Sequence, residues 1–223
     1  MKIILLSDFY PVPEEHLLLH NLFEQGLRYF HLRKKNYTTD EMVAYLNKIP
    51  SQFLDRIIIH SHFHLVEEFG LKGVHFNKAY TVRHFMQDNS HTVERMREKY
   101  RHISHSVHSL SDIQNNDFPF DYLFLSPVFD SISNKGYNSQ IKILTIKKFF
   151  KSEPDHVDVI ALTGITAEKV NSIYHAGFNG MGLLGHIWVA YKENGNLENA
   201  LEKFKKVKAN IVQIQAVAPK VFG

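Results

Sequence analysis

Two glycine turns in the second half of the chain, Thr163-Gly164 and Gly185-His186, have the composition of an anion site. Each ends a short apolar run and opens the next segment. Backbone N–H groups at a helix start, with no Cβ in front of them, hold phosphate well. The hydroxyls of Thr163 and Thr166 stand beside the first turn. Tight turning alone would account for either glycine. Its repetition in consecutive units favours phosphate.

A second group of reactive side chains gathers where other apolar runs end. Arg33 and Lys35 follow one run, His60 and Ser61 another, and His75 and Lys78 a third. Ser106, His108 and Ser109 follow a fourth. Ser126 ends a fifth, with Ser131, Ser133, Asn134 and Lys135 in the loop beyond it. These are cations, hydroxyls and imidazoles with hardly a carboxylate among them, a set suited to an anionic substrate. Any one of these cations taken alone could equally be a solvated side chain. A different chemistry is written into His60-Ser61-His62-Phe63-His64. Alternate histidines on a strand share one face and could pair on zinc. However, the run begins where its strand ends, and no Asp or Glu converges on it.

The elements that position these residues alternate in type. Segments 3–6, 29–33, 56–60, 73–76, 102–106, 122–125, 157–162 and 180–184 are short apolar runs and read as strands. Between them lie helical patterns at 14–26, 40–48 (capped by Thr39), 63–69, 93–100, 110–115 and 144–150. Thr166 caps a further helix that Gly177 closes. A polar loop at 127–140 is long enough to be an active-site lid. The last helix is expected at 198–207. Strand, helix and strand within about thirty residues make a βαβ unit with parallel strands. Eight such alternations predict a (β/α)8 TIM barrel over residues 1–209, with a tail at 210–223 that the pattern leaves unplaced. The active site of such a barrel lies at the carboxyl ends of its strands, and phosphate sits in the loops after strands seven and eight.

Composition narrows the classes. At 223 residues and 44% hydrophobic content the chain suffices for one barrel with a sizeable core. A net charge of +3, from 26 Lys+Arg against 23 Asp+Glu, requires no nucleic-acid partner. The 15 histidines would make the protein far more positive below neutral pH. With no cysteine there is neither a disulfide framework nor thiolate chemistry. The opening residues reach Asp8 too soon for a secretion signal, and no apolar run approaches membrane length. A soluble cytoplasmic protein with no membrane or nucleic-acid partner is expected; whether it forms a homodimer stays open.

Several segments, in order, resemble the thiamine-phosphate synthase and thiazole tautomerase superfamily. His31-Leu32-Arg33-Lys34-Lys35 is similar to its Gln-x-Arg-x-Lys strand. Ile59-His60-Ser61-His62-Phe63-His64-Leu65 is similar to Ile-Asn-Asp-Arg-Val-Asp-Leu, and Gly73-Val74-His75-Phe76 to Gly-Val-His-Leu. Ser106-Val107-His108-Ser109 matches Ser-Val-His-Ser. Asp121-Tyr122 through Ser126-Pro127-Val128-Phe129 resembles Asp-Tyr…Gly-Pro-Val-Phe, and 161–166 resembles Ala-Ile-Gly-Gly-Ile-Thr. The likeness spans roughly residues 3–190.

The resemblance implies thiamine biosynthesis. Thiazole phosphate would be held by Thr163, Gly164, Gly185 and His186, with Ser131, Ser133, Lys135, His60 and Lys78 completing the substrate site. It would condense with hydroxymethylpyrimidine diphosphate, whose charge Arg33 and Lys35 would meet. No cofactor is certain. Synthases use Mg²⁺ held by two aspartates, but those positions are Ser61 and Tyr80 here, and the synthase loop lysine aligns with Asn134, beside Lys135. The tautomerase branch needs only an acid–base residue, for which His108 is the candidate. A barrel that binds the phosphorylated thiazole without turnover is the non-enzymatic reading.

Overall fold

Eight parallel strands pair in chain order, and the eighth returns to the first, closing a barrel. The structure is a computed structural model that describes residues 1–77, 91–134 and 136–217. In order, the elements are β1 (Lys2–Leu6), α1 (Glu15–Glu24), β2 (Tyr29–Leu32), α2 (Thr39–Leu46), β3 (Ile57–Ile59) and α3 (Leu65–Phe69). Then come β4 (Gly73–Phe76), α4 (His91–Lys99), β5 (Ile103–Val107), α5 (Leu110–Gln114), β6 (Tyr122–Leu125) and α6 (Ile143–Ser152). The chain continues with β7 (Val159–Ala161), α7 (Val170–Ala176), β8 (Gly180–Leu183), α8 (Gly185–Asn194) and α9 (Leu197–Val217). This is the (β/α)8 barrel the alternation predicts.

The strands read as unbroken apolar runs because both of their faces are covered. Leu5, Phe30, Leu32, Ile57 and Ile59 face outward into the layer shared with the helices. Ile4, Leu6, Ile58, Tyr122, Phe124 and Ile160 fill the barrel interior. Each such side chain contributes about 1.5–3 kcal/mol of burial. The interior is not apolar throughout: His31, His75 and Ser104 are also buried, on β2, β4 and β5.

The ends of the elements differ in places from the sequence pattern. Thr38, not Thr39, caps α2, with its hydroxyl on the Glu41 N–H in a capping box. α9 runs to Val217, ten residues beyond the expected end. Ile211 is buried in the core and the Asn210 amide donates to the Ala167 carbonyl at 2.8 Å, so 210–217 is a docked helical turn and more, not a loose tail. Among the described residues no helix is long and apolar enough to cross a membrane.

Four contacts set the geometry of the strand exits. The buried Trp188 donates its indole N–H to the Leu6 carbonyl at 2.6 Å, fastening α8, and with it Gly185 and His186, to the end of β1. On the β1 exit loop Asp8 meets Lys192 of α8 at 2.5 Å. Lys34 turns outward into an ion pair with Glu15 of α1 and also donates to the Tyr10 carbonyl at 3.0 Å. Both charged side chains are buried, so this pair holds the β2 exit against α1.

Candidate active site at the barrel mouth

The β2 exit presents Arg33. Its backbone N–H donates to Ser7 Oγ at 2.8 Å, and the Ser7 hydroxyl in turn bonds the Arg33 carbonyl at 3.1 Å. The guanidinium lies over the Phe9 ring, 4.1 Å from its centre. Burial lowers its pKa to about 10, which still leaves it cationic at neutral pH. Lys35, two residues on, is exposed.

Inside the barrel, three imidazoles from adjacent strands meet. His31 Nδ1 is 2.9 Å from His60 Nε2, and the His60 and His75 rings stack with centres 4.2 Å apart. The other nitrogen of His31 bonds the Tyr122 hydroxyl. His75 is held at both nitrogens, by Ser104 Oγ at 2.9 Å and Ser106 Oγ at 3.0 Å. Burial first, then neighbouring imidazoles and Arg33, push all three well below the ordinary histidine pKa, so they are neutral at pH 7. His31 carries no signal of this role in the sequence beyond its alternation with the outward Phe30 and Leu32. The alternating run behaves differently from its zinc reading. β3 ends at Ile59, only His60 enters the barrel, and His62 takes a positive φ of 53° and bonds Ser61 Oγ at 2.9 Å.

His108 stands just past β5. Its Nδ1 is 2.7 Å from the Ser126 carbonyl, which can only accept, so the proton sits on Nδ1. In the neutral ring Nε2 is then a free base. The neighbouring Ser109 is committed elsewhere, as the cap of α5 in a box with Asp112.

The loop after β6 lies over both glycine turns. Val128 and Phe129 donate to the carbonyls of Leu162 and Thr163 at 3.0 and 3.3 Å, and Ser126 Oγ bonds Thr163 Oγ1 at 2.8 Å. A Cβ on Gly164, whose φ is +70°, would stand 2.4 Å from the Asp130 carbonyl oxygen and 2.6 Å from Phe129 Cβ. One on Gly185 would stand 3.0 Å from Ile132 Cβ. Gly164 is therefore bare to admit this loop, which packs on it from elsewhere in the chain. The same packing brings Ser131 and Ser133 to the turns that carry Thr163, Gly164, Gly185 and His186. Ile187 and Trp188 both donate to the Leu184 carbonyl, so the first N–H groups of α8, on Gly185 and His186, have no acceptor within the helix. His186 is buried with Nε2 unpartnered. Lys78, Tyr80 and Lys135 lie outside the described residues.

Sequence comparison matches residues 11–187 to the family described as thiamine monophosphate synthase. The chain belongs to that family. Thiamine phosphate pyrophosphorylase from Bacteroides thetaiotaomicron is 29% identical over 95% of this chain and 98% of its own, with a TM-score of 0.78. The thiamine phosphate pyrophosphorylase from Pyrococcus furiosus, 18% identical over 96% of each chain with a TM-score of 0.70, shares the fold. No curated protein matches the chain in sequence.

A thiamine monophosphate synthase working through Mg²⁺ needs carboxylate oxygens near the diphosphate. Ser61, which by the sequence resemblance stands at one such position, has its hydroxyl 2.9 Å from His62 Nδ1. Asp8 is paired with Lys192, and Asp130 Oδ1 accepts from the Ser139 N–H at 3.0 Å. The donor set at the described mouth does not fit Mg²⁺.

Proposed function

We infer that the chain is a cytoplasmic enzyme of thiamine biosynthesis that condenses thiazole phosphate with hydroxymethylpyrimidine diphosphate. The C–O bond to the diphosphate breaks, the thiazole nitrogen captures the pyrimidine cation, and thiamine phosphate and diphosphate leave. The observation that carries this reading is the β6 exit loop lying over both glycine turns. Ser131, Ser133, Thr163 and the free N–H groups at Gly185 and His186 form the phosphate cradle, with Gly164 giving the loop its approach. Arg33 and Lys35 face the leaving diphosphate, joined on sequence grounds by Lys78 and Lys135. His60 lines the floor of the pyrimidine side.

One observation favours a second reading, thiazole tautomerisation. The Ser126 carbonyl pins the His108 tautomer and leaves Nε2 as a base, which is the equipment for moving a proton without a metal.

Equilibrium titration with thiazole phosphate, followed by addition of the pyrimidine diphosphate, tests the proposal. Saturable binding and thiamine phosphate as product are expected. Binding with neither condensation nor tautomer exchange would reduce the chain to a ligand-binding barrel.

A further inference from the structure

His31, His60 and His75 each offer a ring nitrogen, and the three nitrogens lie within 4.8 Å of one another. They are carried on β2, at the exit of β3 and on β4, three strands whose ladders fix their spacing. We propose that these imidazoles form a site for one divalent transition-metal ion of the zinc class, with an anionic oxygen, from hydroxide or phosphate, as its fourth ligand. The inference shares His60 with the condensation reading but concerns a different ion and donor set from Mg²⁺ on carboxylates.

The ligand type comes first. Imidazole suits zinc, copper and nickel, whereas Mg²⁺ and Ca²⁺ want oxygen. Three histidines with an open fourth position are the donor set of a catalytic-type zinc site. The surroundings are those that orient such ligands. A ligating histidine normally has its second nitrogen held by a hydrogen bond. If His31 ligates through the Nδ1 that faces His60, its Nε2 stays on the Tyr122 hydroxyl. Whichever nitrogen His75 turns to the ion, Ser104 or Ser106 holds the other.

The distances require a small closure. Zinc–nitrogen bonds of about 2.0–2.1 Å put tetrahedral ligands about 3.3 Å apart. The His31–His60 pair at 2.9 Å must open slightly, and the widest separation within the 4.8 Å limit must close. His60 is the ring placed to do this, since it is half-buried just past a strand end, while His31 and His75 are fully packed.

Charge dictates the fourth ligand. The hydrogen-bond partners of the three rings are one another, two serines and a tyrosine, all neutral. Arg33, two residues beyond His31 at the β2 exit, adds a positive charge. A doubly charged ion beside a guanidinium needs an anion, and the guanidinium then becomes a partner for that anion. Metal and phosphate should therefore bind with positive cooperativity.

Titration of the chelator-treated, full-length protein with Co²⁺ tests this, because a tetrahedral Co²⁺ site absorbs far more strongly in the visible than an octahedral one. One equivalent of Co²⁺ should give an intense visible band that one equivalent of Zn²⁺ abolishes. Inorganic phosphate should alter the band and tighten binding. His60→Asn should remove the band, and a His62→Asn/His64→Asn double variant should keep it. Tyr122→Phe, which frees the second nitrogen of His31, should weaken Co²⁺ binding by about 10–100-fold and serves if His60→Asn fails to fold. No intense band, a band that survives in His60→Asn, or one lost with His62 and His64 would overturn the site. Binding indifferent to phosphate would overturn phosphate as the fourth ligand and assign that position to hydroxide.

Discussion

His31 Nδ1 faces His60 Nε2 at 2.9 Å, one ring donating the proton the other accepts. Two neutral imidazoles can do this; with both rings protonated, both facing nitrogens would be donors and the bond would be lost. The same demand for neutrality holds at His186, where burial, with Lys203 and Lys206 adding to it, lowers the pKa to about 4. A histidine whose folded pKa lies below its unfolded value of about 6.5 contributes stability above that pH and loses it as pH falls. For His186 the loss falls between roughly pH 6.5 and 4, and the barrel imidazoles act in the same direction. Thermal melts should show Tm falling steadily from pH 7 to pH 5, and less steeply in His186→Gln. A Tm flat across that range would mean these rings are charged in the folded protein.

The glycine turns should respond unequally. Ala at Gly164 combines a positive φ with a Cβ 2.4 Å from a carbonyl oxygen, so the β6 loop must lift. A stability loss of at least 1–3 kcal/mol, by analogy with other strained backbone sites at about that cost, should accompany weaker thiazole phosphate binding. Gly185→Ala meets only side-chain carbons of Ile132, at 3.0 and 3.3 Å, and of Ser133, with no positive φ, and should fold normally. Equal Tm values for the two variants would contradict the loop packing.

Lys34 and Glu15 are a buried pair on β2's exit and α1. Lys34→Met strands a carboxylate that already has one oxygen unpartnered, so urea unfolding should show a loss of about 3–5 kcal/mol. Adding Glu15→Leu to it should restore most of this, because an apolar pair no longer leaves a charge buried. A double variant as unstable as the single would point to a cause other than the unpaired charge.

His108→Ala should lower turnover by about 10²–10⁴-fold while leaving thiazole phosphate affinity within a small factor of the parent, if His108 moves a proton. His108→Asn keeps a donor for the Ser126 carbonyl but no base, and should be as slow. Full turnover in the Asn variant would reduce the residue to positioning the β6 exit.

The fold was legible because strands covered on both faces must be apolar along their length: runs such as 57–59 and 159–161 have no other reading. α9 beyond residue 207 was not, since Asn210, Gln213 and Gln215 dilute its apolar spacing and only the burial of Ile211 and the Asn210 contact with the Ala167 carbonyl show that it docks. At the site, His108 and the glycine turns could be found from spacing. The His31–His60–His75 cluster could not, because its residues are far apart in sequence and barrel closure alone turns them to a common interior. The reason for Gly164 was equally hidden, since the Asp130 carbonyl that excludes a Cβ arrives from another loop.

The proposed reaction joins the two substrates at this mouth with the protein's own cations and without a carboxylate-bound Mg²⁺. The direct measurement is thiamine phosphate formation from hydroxymethylpyrimidine diphosphate and thiazole phosphate, at constant ionic strength, with and without added Mg²⁺. Product should form in both, slowly, with rates that differ by less than about tenfold, since no Lewis-acid contribution of several kcal/mol is being lost. Absence of product in either condition would contradict the claimed reaction, and a rate that rises steeply with Mg²⁺ would show that residues other than Ser61 hold the ion.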